Sequence, residues 1–66
     1  MKVCVNGNEE VVEDGLTLGQ LLEFFKLGGK PVVVEMNHQV IERSNYPATR
    51  LRENDVLEIV HFVGGG

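Results

Sequence analysis

The most chemically suggestive residues are three consecutive glycines, Gly64, Gly65 and Gly66, which follow an apolar run at the end of the sequence. At ~3.3–3.6 Å per extended residue, they could carry a carboxylate roughly 10 Å away from a folded body. Without Cβ atoms they can also pass through a narrow channel. A carboxylate is a poor electrophile and must be activated before it reacts. We expect a flexible tail whose activating groups belong to a partner, because a tail in water has no preorganised donors.

The other residues that could do chemistry give weaker patterns. His38 and His61 are far apart, and neither has a companion at metal-ligand spacing, so no metal site is predicted. Cys4 is the one cysteine in the sequence. A lone cysteine without a nearby motif usually packs as a small hydrophobic residue, so we assign it no role. Asp55 precedes an apolar run and is interpreted as a turn former. No residue is predicted to be catalytic.

The length of the chain limits where chemistry can occur. A single domain of 66 residues buries only ~60% of the surface of its unfolded chain. A pocket for a drug-sized ligand, ~300 Å³ or more, would compete with that small core. Chemistry is therefore expected on the surface or at a chain end.

Charge and cysteine content narrow the function classes. Ten acidic and six basic residues give a net charge of −4, the wrong sign for binding nucleic acid phosphates. The one cysteine cannot form an internal disulfide, which fits a reducing cytoplasm. No stretch resembles a signal peptide or reaches transmembrane length. We expect a cytoplasmic protein with neither nucleic acid nor membrane as a partner.

The first half of the chain predicts a hairpin and a helix. Alternating apolar residues precede Asn6 and Gly7, a pair typical of a two-residue hairpin turn, and residues 9–13 are the returning strand. Residues 17–20 fit a capping box, so a helix begins at or just after Thr17. Gly28 and Gly29 are predicted to end it with a left-handed cap. The apolar positions of the helix recur at spacings of three and four, as expected for a buried stripe: Leu18, Leu21, Leu22 and Phe25.

The second half predicts three more strands. Residues 32–36 form a β-branched run typical of a buried strand, and a turn at Asn37 and His38 leads to a short strand at residues 39–41. Residues 42–52 are a loop with room for one helical turn. The longest strand is predicted at residues 56–63. The fold class is therefore α+β, with a mixed sheet packed on one main helix.

The last strand has two predicted faces. Leu57 and Ile59 alternate onto one face, and Val56, Glu58, Val60 and Phe62 onto the other. If the first face covers the helix, the second is an exposed apolar stripe beside the glycine tail. Val60 and Phe62 are then a possible partner-docking surface. In the alternative interpretation, both side chains pack under the middle loop.

These features together resemble the ubiquitin-like β-grasp family, and within it the sulfur carrier proteins of thiamine biosynthesis. The resemblance covers residues 1–66 as one domain. It depends on the Asn6 turn, the helix after Thr17, the strand led by Asp55, the segment of residues 34–43 and the final glycine pair. One departure is the third glycine, Gly64, where relatives often carry a side chain.

The resemblance implies a sulfur carrier that is a cosubstrate rather than an enzyme. An E1-like enzyme would adenylate the Gly66 carboxylate with ATP and Mg²⁺, while the carrier itself binds no cofactor. Sulfur from a cysteine desulfurase or other persulfide donor would give a thiocarboxylate, used by thiazole synthase. Gly64 and Gly65 would thread into the partner.

Three alternatives remain at this point. The sulfur could go to molybdopterin or to a tRNA base instead of a thiazole. The chain could also be a β-grasp interaction module without covalent chemistry. Finally, the glycines could be a disordered end or an expression remnant.

Overall fold

The computed structural model describes residues 1–62, so Val63, the predicted end of the last strand, and the tail glycines Gly64, Gly65 and Gly66 lie outside the described residues. The described chain forms five strands, one α-helix and one 3₁₀ helix. In chain order they are β1 (Lys2–Val5), β2 (Asn8–Val11), α1 (Leu18–Phe24), β3 (Val32–Met36), β4 (Gln39–Ile41), the 3₁₀ helix (Arg43–Ala48) and β5 (Val56–His61).

The strands form one mixed sheet in the order β2-β1-β5-β3-β4. The hairpins β1–β2 and β3–β4 are antiparallel, β5 is antiparallel to β3, and β5 is parallel to β1. The last strand of the chain therefore lies in the middle of the sheet. The predicted mixed sheet with one main helix is confirmed.

Helix α1 begins where the sequence predicts. The backbone N–H of Gln20 donates to the Thr17 hydroxyl at 3.1 Å, and the N–H of Thr17 donates to Gln20 Oε1 at 2.9 Å. This reciprocal pair satisfies two of the donors that a helix start leaves open. Helix α1 and one face of the sheet enclose the core, whose buried members are Val3, Val5, Val12, Leu18, Leu21, Leu22, Val34, Tyr46, Leu51, Leu57 and Ile59.

The predicted helix end at Gly28 and Gly29 is wrong. Helix α1 ends at Phe24, with Phe25 as its C-cap. Lys26 takes the left-handed position with φ of 62°, and the N–H groups of Lys26 and Leu27 donate to Glu23 and Leu22 at 2.9 and 2.7 Å. These two bonds form a Schellman motif. Closing the helix early lets Leu27 pack against the core, where it is half-buried.

Two strand predictions need smaller corrections. Strand β2 covers Asn8–Val11 rather than residues 9–13, because its pairing with β1 starts directly after the Asn6 and Gly7 turn. Strand β3 is half-exposed rather than buried: Val34 faces the core, but Val33 on the opposite face is 43% exposed. Within residues 1–62, the α-helix covers one side of the sheet and no helix covers the other.

The two faces of β5 follow the predicted alternation. Leu57 and Ile59 are buried, whereas Val60 and Phe62 are 55% and 62% exposed. The alternative burial of Val60 and Phe62 under the middle loop is wrong. That segment instead packs on the helix side, where the Leu18 N–H donates to the Thr49 carbonyl at 2.7 Å.

Candidate functional site

Strand β5 is the element that leads toward the tail. On one side it pairs with β3 from Leu57 to His61, and on the other it pairs with β1 at Val56 and Leu57. Beyond the strand, the Phe62 N–H donates to the Pro31 carbonyl at 3.3 Å. The backbone is therefore hydrogen-bonded to the sheet as far as the last described residue.

An asparagine side chain extends the pairing of β5 past the end of β1. The Ile59 N–H donates to Asn6 Oδ1 at 2.7 Å, and Asn6 Nδ2 donates to the Ile59 carbonyl at 3.0 Å. The side-chain amide thus replaces the backbone of a neighbouring strand. Asn6 has φ of 50° in the hairpin turn, a conformation that asparagine tolerates better than most residues. Strand β5 keeps partners on both sides where β1 turns away.

A second asparagine holds the start of β5. The Val56 N–H donates to Asn37 Oδ1 at 3.0 Å, and the Asn37 N–H donates to the Val56 carbonyl at 2.8 Å. Asn37 Nδ2 also donates to Asp55 Oδ1 at 3.0 Å, while the Arg52 N–H donates to Asp55 Oδ2 at 2.7 Å. The interpretation of Asp55 as a turn former is confirmed.

Both asparagines are predicted as turn residues, but these contacts of their side chains are not predicted from the sequence. The signal was present in their placement, because each follows a strand that flanks β5. A turn asparagine with positive φ has its amide free to reach a neighbouring backbone. The pairing of β1 with β5 could not be read from the sequence, so the partner of each amide remained hidden.

The side of the sheet opposite the helix carries most of the exposed apolar residues. Val33 lies opposite Val60, and Val40 lies opposite Glu35 in the strand register. We call this surface the outer face and define it by Val33, Glu35, Val40, Val56, Glu58, Val60 and Phe62. Its valines and phenylalanine are all exposed. An exposed apolar patch of this kind is typical of a docking surface.

The remaining candidate residues lie apart from one another. Cys4 is a half-buried free thiol on β1, next to Val56. His61 pairs with Val32 at the end of β5, whereas His38 lies in the β3–β4 turn. No group of three potential metal ligands occurs within residues 1–62. No helix in that part of the chain is long and apolar enough to cross a membrane.

Four acidic residues lie in β2 or directly after it: Glu9, Glu10, Glu13 and Asp14. Glu9, Glu13 and Asp14 are exposed, but Glu10 is half-buried. Asp14 Oδ1 lies 3.0 Å from the amino-terminal nitrogen, and Glu9 Oε2 lies 3.6 Å from Lys2 Nζ. Two of these carboxylates therefore have local cationic partners.

Comparison with known proteins decides the family. The model of the ThiS family matches residues 2–66. The chain belongs to the ThiS family. The sulfur carrier protein ThiS of Bacillus subtilis is 44% identical over 54 residues, which cover 82% of each chain. The crystal structure of the thiamine biosynthesis protein ThiS from Geobacter metallireducens has 35% identity and a TM-score of 0.84, with both chains covered completely. The β-grasp expectation is confirmed.

Other relatives of this ThiS-family chain are much longer. The thiazole synthase of Magnetococcus marinus is 42% identical over 66 residues, and that of Paramagnetospirillum magneticum is 35% identical over 66 residues. In both comparisons the chain is covered completely but spans only 20% of the relative. A ThiS-like segment and a longer remainder thus share one polypeptide in these two proteins.

Proposed function

We propose that this protein is a sulfur carrier for thiamine biosynthesis, loaded as a thiocarboxylate on Gly66. Membership of the ThiS family and the similarity to the sulfur carrier protein of Bacillus subtilis support the proposal. The structural observation that carries it is the central position of β5. Strand β5 has a neighbouring strand on each side and ends beside an exposed apolar face. It therefore forms a rigid base, and another protein can bind the residues that follow it.

The proposed chemistry begins with activation. A Gly66 carboxylate oxygen attacks the α-phosphorus of ATP, which releases pyrophosphate and leaves an acyl adenylate. An E1-like adenylating enzyme supplies the Mg²⁺ and the groups that stabilise the developing charge. The carrier binds neither ATP nor metal in this scheme. It is a cosubstrate of the reaction rather than an enzyme.

Sulfur then replaces AMP. The terminal sulfur of a persulfide, on a cysteine desulfurase or another donor protein, attacks the acyl carbon, and AMP leaves with the electron pair of the broken C–O bond. A thiol cleaves the resulting acyl disulfide, becomes oxidised to a disulfide and releases the thiocarboxylate. Reducing thiols and ATP are both available in the cytoplasm, which is the proposed site of action.

The roles of individual residues follow from this scheme. Gly64 and Gly65 thread through the partner's channel, because residues without Cβ atoms need the least width. Val60 and Phe62 dock on the partner beside that channel, where their exposed side chains can be covered. The loaded carrier then delivers its sulfur to thiazole synthase, a partner suggested by the two long relatives that bear that name.

Mass spectrometry tests the proposal directly. The intact mass of the purified protein first establishes whether Gly66 is its last residue. Incubation with the adenylating enzyme, MgATP and a persulfide donor should then raise the mass by the difference between sulfur and oxygen. An unchanged mass, with a partner system that loads the Bacillus subtilis carrier, would contradict the proposal. Incubating the loaded carrier with each acceptor system in turn would show whether its sulfur is transferred to the thiazole, to molybdopterin or to a tRNA base.

A further inference from the structure

Two glutamates oppose each other in the middle of the outer face. The register places Glu35 of β3 directly opposite Glu58 of β5, and the Cβ atoms of such pairs lie about 4.5–5.5 Å apart. Glu35 is half-buried and Glu58 is exposed. Like charges directly opposite each other destabilise a sheet. This acid pair, Glu35 and Glu58, therefore lowers the stability of the free protein.

The described part of the chain offers the acid pair no compensating cation. Within residues 1–62, neither carboxylate forms an ion pair or a side-chain hydrogen bond; the two ion pairs there involve Asp14 and Glu9. The lysine on the same side of the sheet, Lys2, pairs with Glu9 at 3.6 Å. Within residues 1–62, therefore, no ion pair offsets the repulsion between the two carboxylates.

Valines surround the acid pair. Val33 and Val60 form the next row of opposed residues, Val40 lies opposite Glu35 on β4, and Val56 precedes Glu58 by two positions on β5. A partner that covers these valines must also remove water from the two carboxylates. Burying unpaired charges is costly, so a partner that covers this surface needs its own cation at this point.

We propose that the acid pair binds an arginine that thiazole synthase presents on an apolar surface. The inference rests on the proposed function, and the two long relatives favour thiazole synthase as the occupant because their ThiS-like segment shares a chain with it. Arginine is favoured over lysine because the planar guanidinium has five donors in a fixed fork and can bond to both carboxylates at once.

A second copy of this chain is a poor occupant. A two-fold dimer through the outer face would place the same surface on both sides of the interface. Two acid pairs would then approach each other between chains that each carry a net charge of −4. Thus the charge of this surface favours a different, cationic partner.

Binding to purified thiazole synthase from the same organism tests the inference. The variants Glu35→Gln and Glu58→Gln keep the size of the side chain and remove the charge. Each should raise Kd roughly 10- to 100-fold, as expected for the loss of a charge-assisted hydrogen bond. Glu23→Gln is the matched control, because it removes the same charge from an exposed position on α1, on the other side of the sheet. Its Kd should change less than about threefold.

Thermal denaturation of the free variants separates recognition from folding. Glu35→Gln should raise Tm by about 1–8 °C, because it relieves the repulsion between opposed charges in a small domain. A higher Tm together with a higher Kd would show that the two glutamates act in recognition rather than in folding. A lower Tm accompanied by weaker binding would assign the glutamates a structural role and overturn the inference.

Other outcomes also overturn it. The double variant could bind thiazole synthase as tightly as the wild type, the wild type could fail to bind it, or sedimentation could show a dimer formed through the outer face. Sulfur loading is followed separately by mass. If the wild-type carrier acquires sulfur and the double variant binds thiazole synthase normally, the acid-pair inference alone is refuted. If the wild-type carrier acquires no sulfur, the proposed function is refuted.

Discussion

The side-chain amide of Asn6 pairs with the backbone of Ile59 through two hydrogen bonds of 2.7 and 3.0 Å. The contact joins the first hairpin turn to a strand 53 residues later in the chain. It lies near the end of β5, where β1 no longer supplies a backbone partner. A turn residue thus helps to hold the strand that leads to the proposed reactive tail.

Removing this amide should loosen the end of β5. Asn6→Gly keeps a residue that accepts positive φ but loses both hydrogen bonds, so we expect a loss of roughly 1–2 kcal/mol of unfolding free energy. The Ile59 amide should also exchange faster in hydrogen-exchange measurements. Asn54→Gly is the matched control, because Asn54 has φ of 70° and makes no side-chain hydrogen bond within residues 1–62. Equal losses in the two variants would show that the Asn6 contact contributes little.

The sequence predicted the features that depend on neighbouring residues. The capping box at Thr17 and the alternation along β5 both follow from local rules and are confirmed. The partner of Asn6 depends on the parallel pairing of β1 with β5, which is set by tertiary packing. The acid pair is not predictable from the sequence for the same reason, since Glu35 and Glu58 become neighbours only through the β3–β5 register.

The helix end shows how tertiary packing can override a local preference. Glycine is favoured at a left-handed cap, and Gly28 and Gly29 are close to the end of α1. The Schellman motif nevertheless closes at Lys26, because this brings Leu27 toward the core. The energy of packing a leucine outweighs the cost of a left-handed lysine.

Mutation of Lys26 should remove the energetic cost of its left-handed backbone conformation. Lys26→Gly removes the Cβ that makes a φ of 62° unfavourable, so we expect about 0.5–1 kcal/mol of added stability in denaturant unfolding. Lys26→Ala keeps a Cβ and removes only the long side chain. It should not show the gain, and an equal gain in both variants would mean that the lysine side chain, rather than the backbone conformation, is unfavourable.

The outer face should contribute to sulfur loading. Val60→Asp places a charge on the proposed docking surface and should raise the KM of the adenylating enzyme for the carrier about tenfold or more, because a buried unpaired charge is costly. Val11→Asp places the same charge on another exposed valine, on the edge strand β2 and two strands away from β5. It should leave KM within about threefold of the wild type. A similar rise for both variants would indicate general repulsion by added negative charge.

The tail should be essential for loading and dispensable for folding. The buried core lies between Val3 and Ile59, so deletion of Gly66 should leave Tm unchanged while it removes the proposed site of adenylation. Gly65→Phe keeps the final residue but adds a ring that a narrow channel cannot admit, and it should abolish the mass increase at an unchanged Tm. Gly65→Ala is the smaller counterpart and should retain part of the loading. If Gly65→Phe loads as fast as the wild type, the tail does not thread through a channel. If the wild type and both substituted carriers bind a partner equally well but none acquires sulfur, the non-covalent interaction module becomes the better explanation of this fold.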